Sequence, residues 1–298
     1  MKGASAIRQA ARLASLGLLL AALLLAGVAG RAVAGPPFQT DDPEPVDLGH
    51  YEFYVFSGTD NSTQESDPIG PAFEFNWGAL PNTQLHAVMS FGGVVPAGEG
   101  AKVYGLLDTE LGVKYRFISQ TDDRPEVGIF PMVELPTGRY SRGLGVGKTW
   151  YKLPLWIQKD WGPWTTYGGA GYEVVPQTGF NNFPYAGWLV QRDAGDKWTL
   201  GGEVWYHGPE GPATPLSHAT TMFDFGGSYY FRKPAFQLLF ALGHSVAGQT
   251  ETYAYLGLYW TWGEGAEKAT PTALAGWSMN GRSFSASDRY ANSAVPQL

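Results

Sequence analysis

The 298-residue chain carries 40 Gly, 16 Phe, 11 Trp and 16 Tyr, no Cys, and a formal charge of −7. Without cysteine it has no disulfide framework, no thiol for a lipid anchor and no thiolate metal site, and its acidity argues against nucleic acid as a partner. Abundant turn formers beside abundant strand formers, at a mean hydropathy of −0.16, give helix little support.

At the start of the chain, Lys2, Arg8 and Arg12 precede an apolar run from Leu13 to about Leu25, and Ala32-Val33-Ala34 follows. This is the pattern of a secretory signal peptide over residues 1–34, cleaved after Ala34, and the run is short for a membrane-spanning helix. Removing it takes away four cations and no acid, which moves the formal charge from −7 to −11. Residues 35–48, GPPFQTDDPEPVDL, are too rich in Pro and Asp for helix or central strand. They read as a periplasmic lead-in, with an exposed acidic linker preferred over a plug at the mouth of whatever follows.

From residue 49 the periodicity changes to two, with Tyr51, Phe53 and Val55 on one face and His50, Glu52 and Tyr54 on the other. Alternating segments bounded by Gly, Pro, Asn and Asp continue to residue 262, and twelve strands are expected, at 49–57, 71–78, 83–95, 105–118, 125–136, 149–160, 163–175, 183–192, 197–207, 217–231, 235–246 and 250–262. Twelve is even, as single-chain bacterial outer-membrane barrels require. The connectors alternate too, with expected outer loops at 58–70, 96–104, 137–148, 176–182 and 208–216 and tight turns at 79–82, 161–162, 193–196 and 233–234. The fold class is therefore all-β, a single antiparallel transmembrane barrel over residues 49–263. Residues 264–298 are expected to form a periplasmic or disordered tail.

The fourth segment shows the faces most clearly: Leu107, Thr109, Leu111, Val113, Tyr115 and Phe117 alternate with Asp108, Glu110, Gly112, Lys114 and Arg116. A soluble sandwich would also alternate. Aromatics at segment ends, namely Trp77, Phe117, Trp161, Trp164, Trp198, Phe231, Trp260 and Trp262, favour a membrane barrel with an interfacial girdle.

Several phrases along the chain then carry a resemblance: PPFQTDDPEP at 36–45, GHYEFYVFS at 49–57, DTELGVKYRFI at 108–118, LPTGRYSRGLGVGKT at 135–149 and LPLWIQKDWGPWTTYGGAGY at 153–172. Together they resemble the outer-membrane proteins of the meta-pathway phenol-degradation transporter family. The resemblance implies an outer-membrane β-barrel with a transport role. It carries over no catalytic or ligand residue.

Among motifs with chemistry, Gly143 to Thr149 ends like a phosphate-binding loop but has Arg142 where the first Gly belongs and lies in an outer loop, so nucleotide binding is set aside. Arg139, Arg142 and Lys148 make that loop locally basic, a solvated face or a contact for lipopolysaccharide phosphates. In Gly243-His244-Ser245 a His and a Ser adjoin, and strand neighbours point to opposite faces, so a lipase-like pair is disfavoured there. The five histidines show no metal spacing. The protein is not expected to be an enzyme or to hold a metal or cofactor.

The candidate functional residues are those expected to line the lumen. On the first half of the barrel these are His50, Glu52, Tyr54, Glu74, Asp108, Glu110, Lys114 and Arg116; further on come Glu126, Glu134, Lys152, Tyr167, Glu173, Glu203, Asp224, Arg232 and Tyr255. Trp150, Trp156, Tyr253 and Tyr259 join them as aromatic candidates for stacking on flat solutes. The function read from this set is a porin-like outer-membrane channel or transporter for small molecules, hydrophobic or aromatic ones included. The alternative is a barrel closed by its own lumenal charges that serves as a structural or surface-interaction protein. Expected partners are outer-membrane lipids and lipopolysaccharide, the small-molecule solute and the outer-membrane assembly machinery.

Overall fold

Segments that alternate apolar and polar side chains can face hydrocarbon only if every backbone N–H and C=O is paired, and a closed antiparallel sheet achieves this without leaving an edge. The computed structural model describes residues 36–263, and the signal peptide and tail expected from the sequence lie outside them. The strands are β1 (His50–Ser62), β2 (Glu65–Leu80), β3 (Thr83–Pro96), β4 (Val103–Ile118), β5 (Glu126–Ile129), β6 (Met132–Leu135), β7 (Trp150–Trp161), β8 (Trp164–Val174), β9 (Phe183–Asp193), β10 (Trp198–His207), β11 (Thr220–Arg232), β12 (Phe236–Gly248) and β13 (Glu251–Gly263). Each pairs antiparallel with its neighbours, and β1 pairs with β13 from His50↔Gly263 to Ser62↔Glu251, which closes the barrel.

Both β5 and β6 pair with β4 on one side and β7 on the other. They are two halves of one barrel strand, so the closed sheet has twelve strands. The interruption falls at Phe130-Pro131, where proline has no N–H to give the ladder. The long connections, at 97–102, 136–149, 175–182 and 208–219, share one end of the barrel, and the first and last strand ends lie at the other, the periplasmic end in barrels of this type.

The loop expected at 58–70 is corrected: β1 and β2 run on through it and leave only Thr63 and Gln64 between them. Thr59, Asp60 and Asn61 have little strand preference of their own. They are nevertheless held on both sides, by Pro68, Asp67 and Ser66 of β2 and by Ala254, Tyr253 and Thr252 of β13.

The outer face is apolar around the barrel, with Leu85, Leu111, Val113, Leu153, Trp188, Val204, Phe225, Leu242 and Leu256 all exposed. Such a surface is stable against lipid rather than water. At the periplasmic end the aromatics touch in two runs along the wall: Trp77 and Trp262 both stack on Tyr51, and Phe53, Trp260, Phe236, Phe231, Tyr229 and Trp198 contact one another in turn. Rings of this kind anchor a barrel at the headgroup level.

Candidate functional site

The lumen is not empty, because the chain that precedes β1 folds back into it. Phe38, Thr40 and Asp42 are buried, which corrects the exposed-linker expectation for residues 35–48. An extended, Pro-rich segment has unmet backbone N–H groups, and the barrel supplies acceptors. The Gln39 and Thr40 N–H groups donate to the two carboxylate oxygens of Glu203 at 3.0 and 2.7 Å. Gln39 Nε2 donates to Asp224 at 3.2 Å, and Val46 N–H to Gln84 Oε1 at 3.0 Å. Tyr253 donates its hydroxyl to the Pro37 carbonyl at 2.9 Å.

Opposite Glu203, the segment's acids meet cations on β4. Lys114 Nζ lies 2.9 Å from Asp41 and 3.4 Å from Asp42, and Arg116 lies 4.0 Å from Glu44 and 2.9 Å from Glu126. Burial pushes the Asp42 carboxyl well above the ordinary carboxylate range, with Lys114 opposing the shift. Phe38 packs on Tyr167 and Leu189. Gly187 makes room for this plug, since a Cβ there would run into Thr40 Oγ1 and lie 2.7 Å from the Trp205 ring.

A chain of buried polar groups covers the wall from β1 to β7. Tyr259 and Tyr54 donate to Glu52 at 2.8 and 3.1 Å, and Asn76 Nδ2 reaches Glu52 at 3.3 Å and Glu74 at 2.9 Å. His86 bonds Asn76 Oδ1 at 2.7 Å and Glu110 at 2.8 Å. Lys152 closes the chain, at 2.7 Å from Glu110 and 3.0 Å from Glu134. Each of these charges has an opposite charge or an amide within reach, the condition for ions to persist in a wall that excludes water.

On the extracellular side of the plug, Trp156, Tyr185, Trp205, Met222 and Phe130 form an apolar cluster. Above it opens a vestibule of about 610 Å³, with Gln39 of the plug, Tyr185, Trp205 and Met222 as its floor and Asp60, Asp67, Glu173, Glu210 and Glu251 among its walls. His207 is fixed there between Glu251, at 3.1 Å, and the Gly208 carbonyl, at 2.8 Å. The vestibule thus ends on aromatic rings and on the plug. A second concavity, about 650 Å³, lies on the outer wall at the β5–β6 interruption, lined by Leu85, Leu111, Val113, Pro131, Val133, Tyr151 and Leu153.

A twelve-stranded barrel with an apolar exterior and a self-plugged lumen can be compared with known folds. The chain has the fold of an outer-membrane β-barrel. Over 77% of its length it superposes on all of the COG4313 outer membrane channel from Pseudomonas putida F1, with a TM-score of 0.61 at 17% identity. The KdgM porin aligns more loosely, with 70% of this chain and 99% of its own covered at a TM-score of 0.48 and 8% identity. No family model and no curated protein sequence matches the chain.

Of the residues singled out in the sequence, Tyr54, Glu74, Lys114, Glu126, Glu134, Tyr167, Glu203 and Asp224 are buried within the barrel. Glu52, Glu110 and Lys152 belong to the polar chain, and Tyr255 stacks on Phe56 at 5.2 Å. Glu173 lines the vestibule. Asp108 accepts the Gly138 and Val146 N–H groups at 3.0 and 2.9 Å and so pins an outer loop. His50 stays half-buried at the periplasmic lip, its Nδ1 3.3 Å from the Leu48 carbonyl.

Arg232 is the exception. It is exposed, because the pairing slips between Tyr230 and Arg232 and the alternation that would turn it inward ends there. Residues missed from the sequence include Asn76, Gln84, His86, Gln158 and Trp205, each buried. Strict alternation from Glu74 gives Asn76, and alternation along β3 gives Gln84 and His86. His244 is exposed on the outer face while Ser245 Oγ accepts the Glu251 N–H at 3.0 Å, so the two do not meet as a catalytic pair. Among the described residues no group of three His, Asp or Glu is arranged to hold a metal ion.

Proposed function

We propose that the protein is an outer-membrane transporter for small, largely apolar molecules, aromatic compounds among them. The observation that carries this reading is a vestibule floored by Tyr185, Trp205 and Met222 and stopped by the 36–48 segment. That segment is held by side-chain hydrogen bonds and ion pairs, not by membership of the sheet. Contacts of this kind break and re-form without unfolding the barrel, so the segment is suited to act as a gate. Aromatic and thioether side chains suit flat or apolar solutes. The resemblance of the sequence to the meta-pathway phenol-degradation transporter family supports the same solute class.

A second reading is favoured by the polar chain from Glu52 to Glu134, which fills its side of the lumen. On that reading the barrel is permanently closed and acts through its outer surface. Liposome swelling and planar-bilayer conductance of the barrel with and without residues 36–45 separate the two. Transport predicts a small conductance that rises severalfold on deletion. No current and no solute entry from either protein, both well folded by heat-modifiable gel migration, would leave the closed barrel.

A further inference from the structure

The extracellular end of the barrel is electrically two-sided. Its Lys and Arg residues, among those described, sit on two successive connections: Lys102 between β3 and β4, and Arg139, Arg142 and Lys148 between β6 and β7. All four are exposed and make no ion pair among the described residues. Acids dominate elsewhere at that end, with Asp60 and Asp67 on the β1–β2 hairpin, Glu210 after β10 and Glu251 at the start of β13. Glu99 is the single acid on the two basic connections.

The basic connections stand over the apolar groove of the outer wall. Both ends of the β6–β7 connection leave from residues that line it, since Val133 and Tyr151 pair across the ladder and Val133 pairs with Leu111 on the other side. The connection is also fixed in place. Thr137 donates its hydroxyl to the Leu107 carbonyl at 2.9 Å and lies 2.8 Å from the Thr109 hydroxyl, two residues above Leu111 on the outer face of β4. Asp108 holds it at Gly138 and Val146, and Leu144 is buried beneath it. Arg139 and Arg142 are therefore presented between two anchored points, at the upper edge of a hydrocarbon-facing groove.

We propose that this face is a binding site for the phosphorylated, acylated glycolipid of the outer leaflet, lipopolysaccharide, with its phosphates on Arg139, Arg142 and Lys148 and an acyl chain in the upper part of the groove, lined by Leu111, Val133, Tyr151 and Leu153. Charge complementarity selects the occupant. A neutral lipid leaves the cations without partners, and a soluble anion leaves the groove unused. Arginine forks match phosphate oxygens in pairs, which gives geometry as well as charge. The proposal rests on the outer-membrane reading above.

The test is native mass spectrometry of the full barrel in detergent, titrated with rough lipopolysaccharide, phosphatidylglycerol or inorganic phosphate. The wild type is expected to retain one lipopolysaccharide. Arg139→Glu with Arg142→Glu should weaken retention by about tenfold or more. Ala87→Trp, which fills the groove from β3, should weaken it without touching a charge, while Lys197→Glu at the periplasmic end should leave it unchanged. Heat-modifiable migration checks that each variant folds. The proposal is overturned if charge reversal leaves retention as it was, if phosphatidylglycerol binds as tightly, or if inorganic phosphate displaces the lipid at equal concentration. Membrane fractionation keeps the two readings apart: protein in the outer membrane without retained lipopolysaccharide sinks this proposal alone.

Discussion

The wall of the lumen from β2 to β7 carries Glu74, His86, Glu110, Lys114, Glu134 and Lys152, whereas the wall from β8 to β12 carries Tyr167, Tyr185, Leu189, Trp205, Met222 and Leu239 around the plug-facing acids Glu203 and Asp224. The plug spans the two. Its acids face Lys114 on the first wall, and Phe38 with the backbone N–H groups of residues 39 and 40 faces the second. The charged wall is largely satisfied by its own partners, so it offers the plug a few strong, specific contacts. The aromatic wall keeps its internal pairing toward its two ends, Asp193 with Thr199 and Lys233 and His207 with Glu251, and between them it offers mostly area, to the plug and to any apolar solute in the vestibule.

The sharpest way to break this division is Lys114→Ala. It leaves Asp42 buried and Asp41 half-buried without their cation, and breaking a buried pair costs about 3–5 kcal/mol. The docked-to-free ratio of the plug should fall by about two orders of magnitude or more, seen as faster hydrogen exchange over residues 38–46 and a higher open conductance. Phe38→Ala tests the other wall and should weaken docking by about 3 kcal/mol through lost packing on Tyr167 and Leu189. If it exceeds Lys114→Ala in the same exchange measurement, area and not charge holds the plug. Gly187→Ala pushes a methyl group into Thr40 and against the Trp205 ring and should cost about 1–3 kcal/mol of docking, read in the same exchange measurement.

Asp42→Asn is the smallest change and has the opposite sign. Because burial raises the docked carboxyl, docking is fully favoured below the free carboxylate value of about 4 and weakens as pH rises through the raised value. Removing the ionisable group should tighten the plug severalfold at neutral pH and flatten the pH dependence of conductance above about pH 4. A looser plug at pH 7 would show that the Lys114–Asp42 contact outweighs burial.

Much of the barrel was legible because its signal is local. Period-two alternation and turn residues located all twelve strands, and the structure shifts most of their ends by a few residues at most. What failed was what depends on partners elsewhere in the chain. Thr59 to Asn61 read as loop because their own preferences are weak, and two neighbouring strands hold them extended. Arg232 read as lumenal because a slip in pairing leaves no mark in the alternation. The lead-in read as a solvated acidic linker because its cation lies 73 positions away from Asp41 and its carboxylate 163 positions from Thr40. Buried acids and exposed acids look alike until the partner is placed. His86 reads in the sequence as one of five scattered histidines, although its place opposite Asn76 follows from the alternation of β2 and β3.

The closure of β1 on β13 also bears on how the molecule is assembled. Among the described residues the first strand and the last form the final seam, and the plug is attached at the start of that first strand. No end has to be threaded through a finished cylinder. The segment can lie in the trough of a still-open, curving sheet and be enclosed when the two most distant strands zip together, the slowest pairing by loop closure in the whole topology. Growing wall and enclosed segment then share one folding event, and the order of synthesis places the segment at the seam from the outset.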